Sequence, residues 1–252
     1  MDVVLESQNR SEFPGLGREP KQTSVLVCPA ERLQASDYAE LIDEVQKLKQ
    51  RRVRMVSIRR QSALRIGPEK FHAVLEDSGL KVCTVGFAGG FTGTLGRSYR
   101  QAVDDTRRAL EYAARLNARA VVVLPGSRGL HTYNHSERTV RDGLYDCLDD
   151  ALRFRIDMVV PINDVFGNGN DIFMPQTRNL LSWIDSFESH RIKPMMMLRG
   201  SQPWRKLPAS WQQCLLKGGV LRASHRCRKT VGRHDLTSHI LSGLSDAVVP
   251  VS

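Results

Sequence analysis

Four short stretches of this 252-residue chain gather side chains able to hold anions or move protons. The first, Gly86 to Gly96, reads GFAGGFTGTLG. Its glycines, Gly89 and Gly90 among them, let backbone approach a ligand closely, and Phe87 and Phe91 can wall a pocket to which Thr92 adds a hydroxyl. It lacks the GK[ST] ending of a phosphate-binding P-loop, and a plain flexible loop is the competing reading. The second stretch, PGSRGLHTYNH, carries Ser127, Arg128, His131, Asn134 and His135. Arg128 can grip a phosphate through paired hydrogen bonds, and either histidine can move protons near neutral pH. The competing reading makes Asn134 or Ser136 a helix cap and leaves both histidines exposed. The third stretch offers the amide of Asn163 and the carboxylate of Asp164, and the fourth a single cation, Arg199. For a divalent metal, Asp164 and His225 are the ligand types near the expected strand ends, and two ligands do not enclose an ion.

These residues need elements to hold them. From Ser24 onward short apolar runs alternate with segments of helical period, the pattern of a parallel α/β sheet. Strands are expected at 24–28, 54–58, 81–85, 120–124, 157–161 and 195–198, with weaker patterns at 219–223 and 247–251. Tyr38, Leu41, Ile42, Val45 and Leu48 share one helical stripe. Pro68 suits a first helical position and Gly79 the stop of the same helix. Val103, Thr106, Leu110, Ala113 and Ala114 mark the next helix, Val140, Leu144, Cys147, Leu148 and Ala151 one more, and Leu180, Leu181, Ile184 and Phe187 another. A short helix is expected near 236–244. Eight strand candidates favour a closed (β/α)8 TIM-type barrel over an open sheet, and each functional stretch then follows the carboxyl end of a strand, where such barrels place their chemistry. The chain stops at Ser252, so the barrel is expected to lack its closing helix.

Composition sets the remaining bounds. Residues 1–23 are polar and mixed in charge, read as a disordered leader, and 24–252 as the single barrel domain. With 41% apolar and 25% charged residues the chain can bury one sizeable core. The net charge of +10 suits an anionic partner, although the densest basic stretches, 47–54 and 226–233, read as solvated faces. Five cysteines without CxxC spacing argue against a disulfide framework or a zinc knuckle and for a reducing compartment. Neither a signal peptide nor a run of the ~20 apolar residues that span a membrane is present, so a cytoplasmic protein is expected.

The stretch from Leu75 to Asn163 closely resembles the sugar phosphate isomerase/epimerase family, the xylose isomerase-like barrels that include endonuclease IV. The motifs are LEDSGLKV, FAGGFTG, GRSYRQAVDDTRRALEYAARLNARAVVVLPGSRG and HTYNH. The resemblance implies a barrel that binds a small sugar, a sugar phosphate or a related polyol or acid, often with a divalent metal, Mn or Mg. It implies isomerisation or epimerisation by proton abstraction beside a sugar carbonyl, with Asp164 or His131 as base, Arg128 as anion clamp and the loop from Gly89 to Gly93 as lid. The family's metal-binding Glu would fall at Pro161, its next Asp and His near Leu198 to Ser201, and its last Glu near Val251. These departures leave a second reading, a carbohydrate-binding barrel without catalysis. A nucleic-acid enzyme like endonuclease IV would need a zinc cluster that the sequence does not display. The oligomeric state is left open.

Overall fold

The computed structural model describes residues 26–28, 32–93, 96–127, 130–161, 180–198 and 220–223. In chain order the elements are β1 (Leu26–Cys28), β2 (Arg32–Leu33), α1 (Tyr38–Gln50), β3 (Met55–Arg59), α2 (Arg60–Ile66), α3 (Pro68–Ser78), β4 (Lys81–Gly89), α4 (Tyr99–Arg115), β5 (Ala120–Leu124), α5 (Tyr133–Asp146), α6 (Leu148–Phe154), β6 (Asp157–Pro161), α7 (Leu180–Asp185), β7 (Ile192–Leu198) and β8 (Val220–Ala223). All strand pairs are parallel, in the order β1-β8-β7-β6-β5-β4-β3-β2. The two edges of this sheet, Cys28 and Arg32, are joined by residues 29–31, which holds them within about 14 Å of each other. The sheet therefore closes through the chain itself into a TIM-type parallel barrel.

Alternation along the strands sorts side chains into two layers. Val56, Ile58, Val85, Val121, Val123, Met158 and Val160 face outward and pack with Leu41, Phe71, Leu110 and Leu144 of the surrounding helices. Cys83, Ala120, Val122, Val159 and Met195 fill the bore together with Met55, Phe87 and Leu124. At the amino end of the bore Asp157 stands on the same face of β6 as Val159. Its two carboxylate oxygens are taken by Arg191 Nη1 at 3.0 Å and Lys193 Nζ at 2.7 Å. Cys83 and Cys147 are buried in different layers and form no disulfide among the described residues. Among the described residues no helix is long and apolar enough to cross a membrane.

Helix ends follow the expected chemistry. The Asp37 side chain accepts from the Glu40 amide, Pro68 opens α3, and Gly79 closes it in the left-handed conformation at φ 68°. Ser98 and Gln101 form a capping box at the start of α4.

Several elements depart from the sequence reading. β4 runs four residues beyond the expected 81–85, carried by two bulges at which register shifts past Cys83 and Phe87. α2 has no apolar stripe and no side-chain cap, so nothing in its sequence announces it. The single helix expected through Val140 to Ala151 is two, broken at Cys147. Thr132, not Asn134 or Ser136, caps α5, because its side chain accepts from the His135 amide. The sheet's eighth member is the two-residue β2, and β8 pairs directly with β1, in the place expected for 247–251. That segment, the helix at 236–244 and the leader lie outside the described residues.

Candidate functional site

β3 supplies the polar side of the bore. Its residues alternate, so Met55, Ser57 and Arg59 face inward while Val56 and Ile58 pack against helices. β2 places Arg32 in register with Ser57, and β4 places Thr84 there on the other side. The Thr84 hydroxyl donates to Ser57 Oγ at 2.9 Å. Two hydroxyls sharing one bond leave one hydrogen to give to a ligand. Arg59, one inward position nearer the mouth, is in register with Gly86 and exposed.

The bulge at Phe87 turns this ring into the bore, following a cis Gly86–Phe87 peptide bond. The guanidinium of Arg32 lies over the ring, 5.2 Å from its centroid. A cation held on an aromatic face is restrained before any ligand arrives. Together Arg32, Ser57, Ile58, Arg59, Thr84, Gly86, Phe87 and Val122 surround the upper bore, packed too closely to admit a water molecule.

The rim loops are tied to one another. Gly89 sits at φ 94°, and a side chain there would collide with the Leu124 carbonyl, so glycine is demanded by the close approach of β5. Gly90 donates its amide to that carbonyl at 2.8 Å, and the Thr92 hydroxyl donates to the Ser127 carbonyl at 2.5 Å. Phe91 turns away from the bore and packs under Gly143 beside Tyr99, between barrel and helices. Behind the rim, Asp105 of α4 accepts from Arg60 Nη2 at 2.5 Å and from Arg97 Nη1 at 3.0 Å, which pins the end of the loop that begins at Gly90.

The rings of His131 and His135 lie tilted at 41° to each other with centroids 4.8 Å apart. With Phe91, Thr92, Arg97, Tyr99, Thr139 and Asp142 they line a groove of about 470 Å³ between α4 and α5. Phe91 lines this groove, whereas Phe87 lines the upper bore. Burial and the hydrogen bond given to Asp146 at 2.7 Å hold the Tyr99 phenol far above its usual range, so it remains a protonated donor.

The residues named from sequence thus divide. Gly89, Gly90, Thr92 and Ser127 knit the rim, while Phe91, His131 and His135 meet in the outer groove with Thr92. Asn134 is exposed in the first turn of α5. Arg128, Asn163, Asp164, Arg199 and His225 lie outside the described residues. Sequence reasoning missed Arg32, Ser57, Arg59 and Thr84; the inward alternation of Met55, Ser57 and Arg59 was the available signal.

The residues present do not fit a divalent metal at the described strand ends. Hard cations take carboxylate and carbonyl oxygens, with imidazole for softer ions. The described strands β3 to β7 end at Arg59, Gly89, Leu124, Pro161 and Leu198. Among the described residues no three His, Cys, Asp or Glu side chains gather to hold an ion.

A closed parallel barrel with polar groups converging at the carboxyl ends of its strands is the scaffold of the sugar isomerases and epimerases and of their endonuclease relatives. Residues 34–196 match the profile of the xylose isomerase-like TIM barrel family, and the chain belongs to that family. Comparison with curated protein sequences finds no match. Among solved structures, the chain is similar to the 3-keto-D-glucoside 4-epimerase of E. coli, with TM-score 0.65 and 14% identity over 89% of this chain and 88% of that one. It is similar to a D-allulose 3-epimerase from Methylomonas sp., with TM-score 0.64 and 11% identity over 88% and 80%. It is also similar to an AP endonuclease, family 2, from Brucella melitensis, with TM-score 0.59 and 12% identity over 81% and 94%. At such identities the likeness establishes the fold.

Proposed function

We propose that this barrel binds a small sugar or sugar phosphate at its mouth and transfers a proton beside the sugar carbonyl, as an isomerase or epimerase. What supports this reading is the family match over residues 34–196 and the polar wall below the mouth, where closely packed Ser57 and Thr84 lead up to exposed Arg59 at the carboxyl end of β3. Asp164 is the proposed base, since His131 lines the groove between α4 and α5 and not the upper bore. Arg128 is proposed as a further anion contact and the loop from Gly89 as a lid. A sugar carbonyl polarised by guanidinium and hydroxyl donors makes its neighbouring C–H more acidic, because charge developing on oxygen is met by fixed dipoles.

A second reading, carbohydrate binding without turnover, is favoured by the same wall. It carries guanidinium groups where metal-dependent proton transfer uses carboxylates, and β6 ends in Pro161.

Incubation with ketoses in D2O, followed by proton NMR, separates the two. Loss of the signal of the C–H beside the carbonyl, slowed at least a hundredfold by Asp164→Asn, supports the enzyme. Thermal stabilisation by sugar without exchange supports the binder. Neither exchange nor stabilisation with any sugar tested refutes both.

A further inference from the structure

We propose that the amino-terminal end of the barrel, opposite the mouth, is a docking surface for double-helical nucleic acid, with Arg52, Arg54, Lys81, Arg119 and Arg155 on its phosphate backbone. The inference uses none of the residues placed at the mouth and stands whether or not the carbohydrate reading holds.

Topology gathers these cations. In a parallel barrel every helix returns the chain to the amino end of the next strand, so the turns before β3, β4, β5 and β6 share one end. Arg52 and Arg54 lie in the first of these turns, Lys81 opens β4, Arg119 precedes β5 and Arg155 precedes β6. Backbone bonds tie the turns into one row. The Lys81 amide donates to the Arg54 carbonyl at 3.0 Å, the Arg119 amide to the Cys83 carbonyl at 3.1 Å, and the Asp157 amide to the Arg119 carbonyl at 3.1 Å. Neighbouring strands stand about 4.8 Å apart, so the row follows an arc of roughly 14 Å from β3 to β6. That is enough to reach phosphates on both sides of a duplex groove about 12 Å wide.

All five side chains are exposed, and none makes a side-chain hydrogen bond or ion pair among the described residues. Nearby acids do not cancel them. Asp157 is shared by two cations, Arg191 and Lys193, Glu76 faces His72 at 3.5 Å, and Glu188 lies one strand further on, before β7. A cleft of about 490 Å³ under β4, lined in part by Lys81, Asn117 and Arg119, offers a recess for a phosphate ridge. Backbone conformation points the same way. Arg52 at φ 56° and Arg155 at φ 58° hold the left-handed position just past a helix, the place that Gly79 fills after α3. Glycine takes this conformation without strain and arginine does not, so what arginine adds there is its reach and its charge.

The surroundings choose the partner. These turns expose no large apolar side chain, the anchor that a membrane surface or a protein partner would use. They expose no Phe, Tyr or Trp on which unpaired bases could stack, which favours a duplex over a single strand. Arginine, four of the five cations, meets phosphate oxygens with a planar fork of donors.

Fluorescence anisotropy of the full chain with labelled 20-base-pair DNA and RNA duplexes, and with one of their single strands, tests this at 100 mM NaCl. Duplex binding with Kd of about 1–100 μM is expected, tighter than the single strand, and log affinity should fall with log salt at a slope of about −4.5 for five neutralised phosphates. The double variant Arg52→Gly with Arg155→Gly is expected to weaken the duplex by about thirtyfold or more and to flatten that slope by about 1.8. Its urea midpoint is expected to be unchanged or higher, because glycine relaxes both turns. Arg65→Gln, an exposed charge on α2 at the mouth end, is expected to leave affinity within twofold. Preference for either duplex supports the proposal and tells DNA from RNA as the source of the phosphates. Absence of duplex binding, or a loss in Arg65→Gln as large as in the glycine variant, overturns it. So does tighter binding of the single strand, of polyglutamate or of phosphatidylserine vesicles.

Discussion

Replacing Asp105 with alanine removes the carboxylate that anchors the rim loop, and the structure sets the expected cost. Arg60 reaches Asp105 from the start of α2 with its side chain 6% exposed, against 13% for the aspartate. Among the described residues its Nε has no partner, and in the variant it keeps the bond from Nη1 to the backbone carbonyl of residue 105, now 2.9 Å long. A buried guanidinium stripped of its counter-charge typically costs 3–5 kcal/mol. The retained backbone bond places this case near the lower limit. Arg97 is 38% exposed and regains water, so its share is below about 1 kcal/mol. The sum is about 3 kcal/mol, or a fall in Tm of roughly 6–12 °C for a chain of this size. Urea unfolding followed by circular dichroism measures it, with the m-value as a check that the native state is retained. The double variant Asp105→Leu with Arg60→Met removes both charges and is expected to recover to within about 1 kcal/mol of the parent. A loss below 0.5 kcal/mol for Asp105→Ala, or a double variant no better than the single one, refutes the reasoning. Hydrogen exchange adds a local readout: the amides of Phe91 and Gly93 are expected to lose protection in Asp105→Ala beyond the global loss.

Two further perturbations follow from packing and titration. Gly143 lies inside α5, where alanine is ordinarily better by about 1 kcal/mol, yet a Cβ there would strike the ring of Phe91. Gly143→Ala is therefore expected to destabilise the fold by about 1–3 kcal/mol in urea, and Phe91→Leu to relieve it in the double variant; a stabilising Gly143→Ala would sink this account. Burial pushes the Cys147 thiol up to about 12, so the folded chain keeps its proton while the unfolded chain ionises from about pH 9. Stability is expected to be unaffected by this group below pH 9 and to fall as pH rises from 9 toward 12. The urea midpoint of the parent measured against Cys147→Ala over that range checks it, and parallel curves would show that the thiol does not contribute.

The sequence displays what repeats and hides what is exceptional. β5 was legible because AVVVL is an unbroken apolar run with three β-branched valines buried on both faces, and α3 because proline and glycine punctuate its ends. The extension of β4 was not, since glycines at 86 and 89 read as loop and nothing local signals two bulges. α5 and α6 merged in the sequence reading because the apolar stripe passes through Cys147 without interruption, while the break lies in the backbone. The same contrast holds for the site. His131 and His135 stood out as two imidazoles in one short stretch, and their rings do meet. Arg32 and Arg59 were lost among 37 basic residues, because β2 is too short to show alternation and β3 reaches the mouth only in its last residue.

The Asp157 carboxylate, spanned by Arg191 and Lys193, clasps the first residue of β6 to the strand beside it. Sliding those two strands past each other by a residue would break two charge-assisted bonds and strand half-buried ions, so the clasp rivets the register of neighbouring staves at the foot of the barrel.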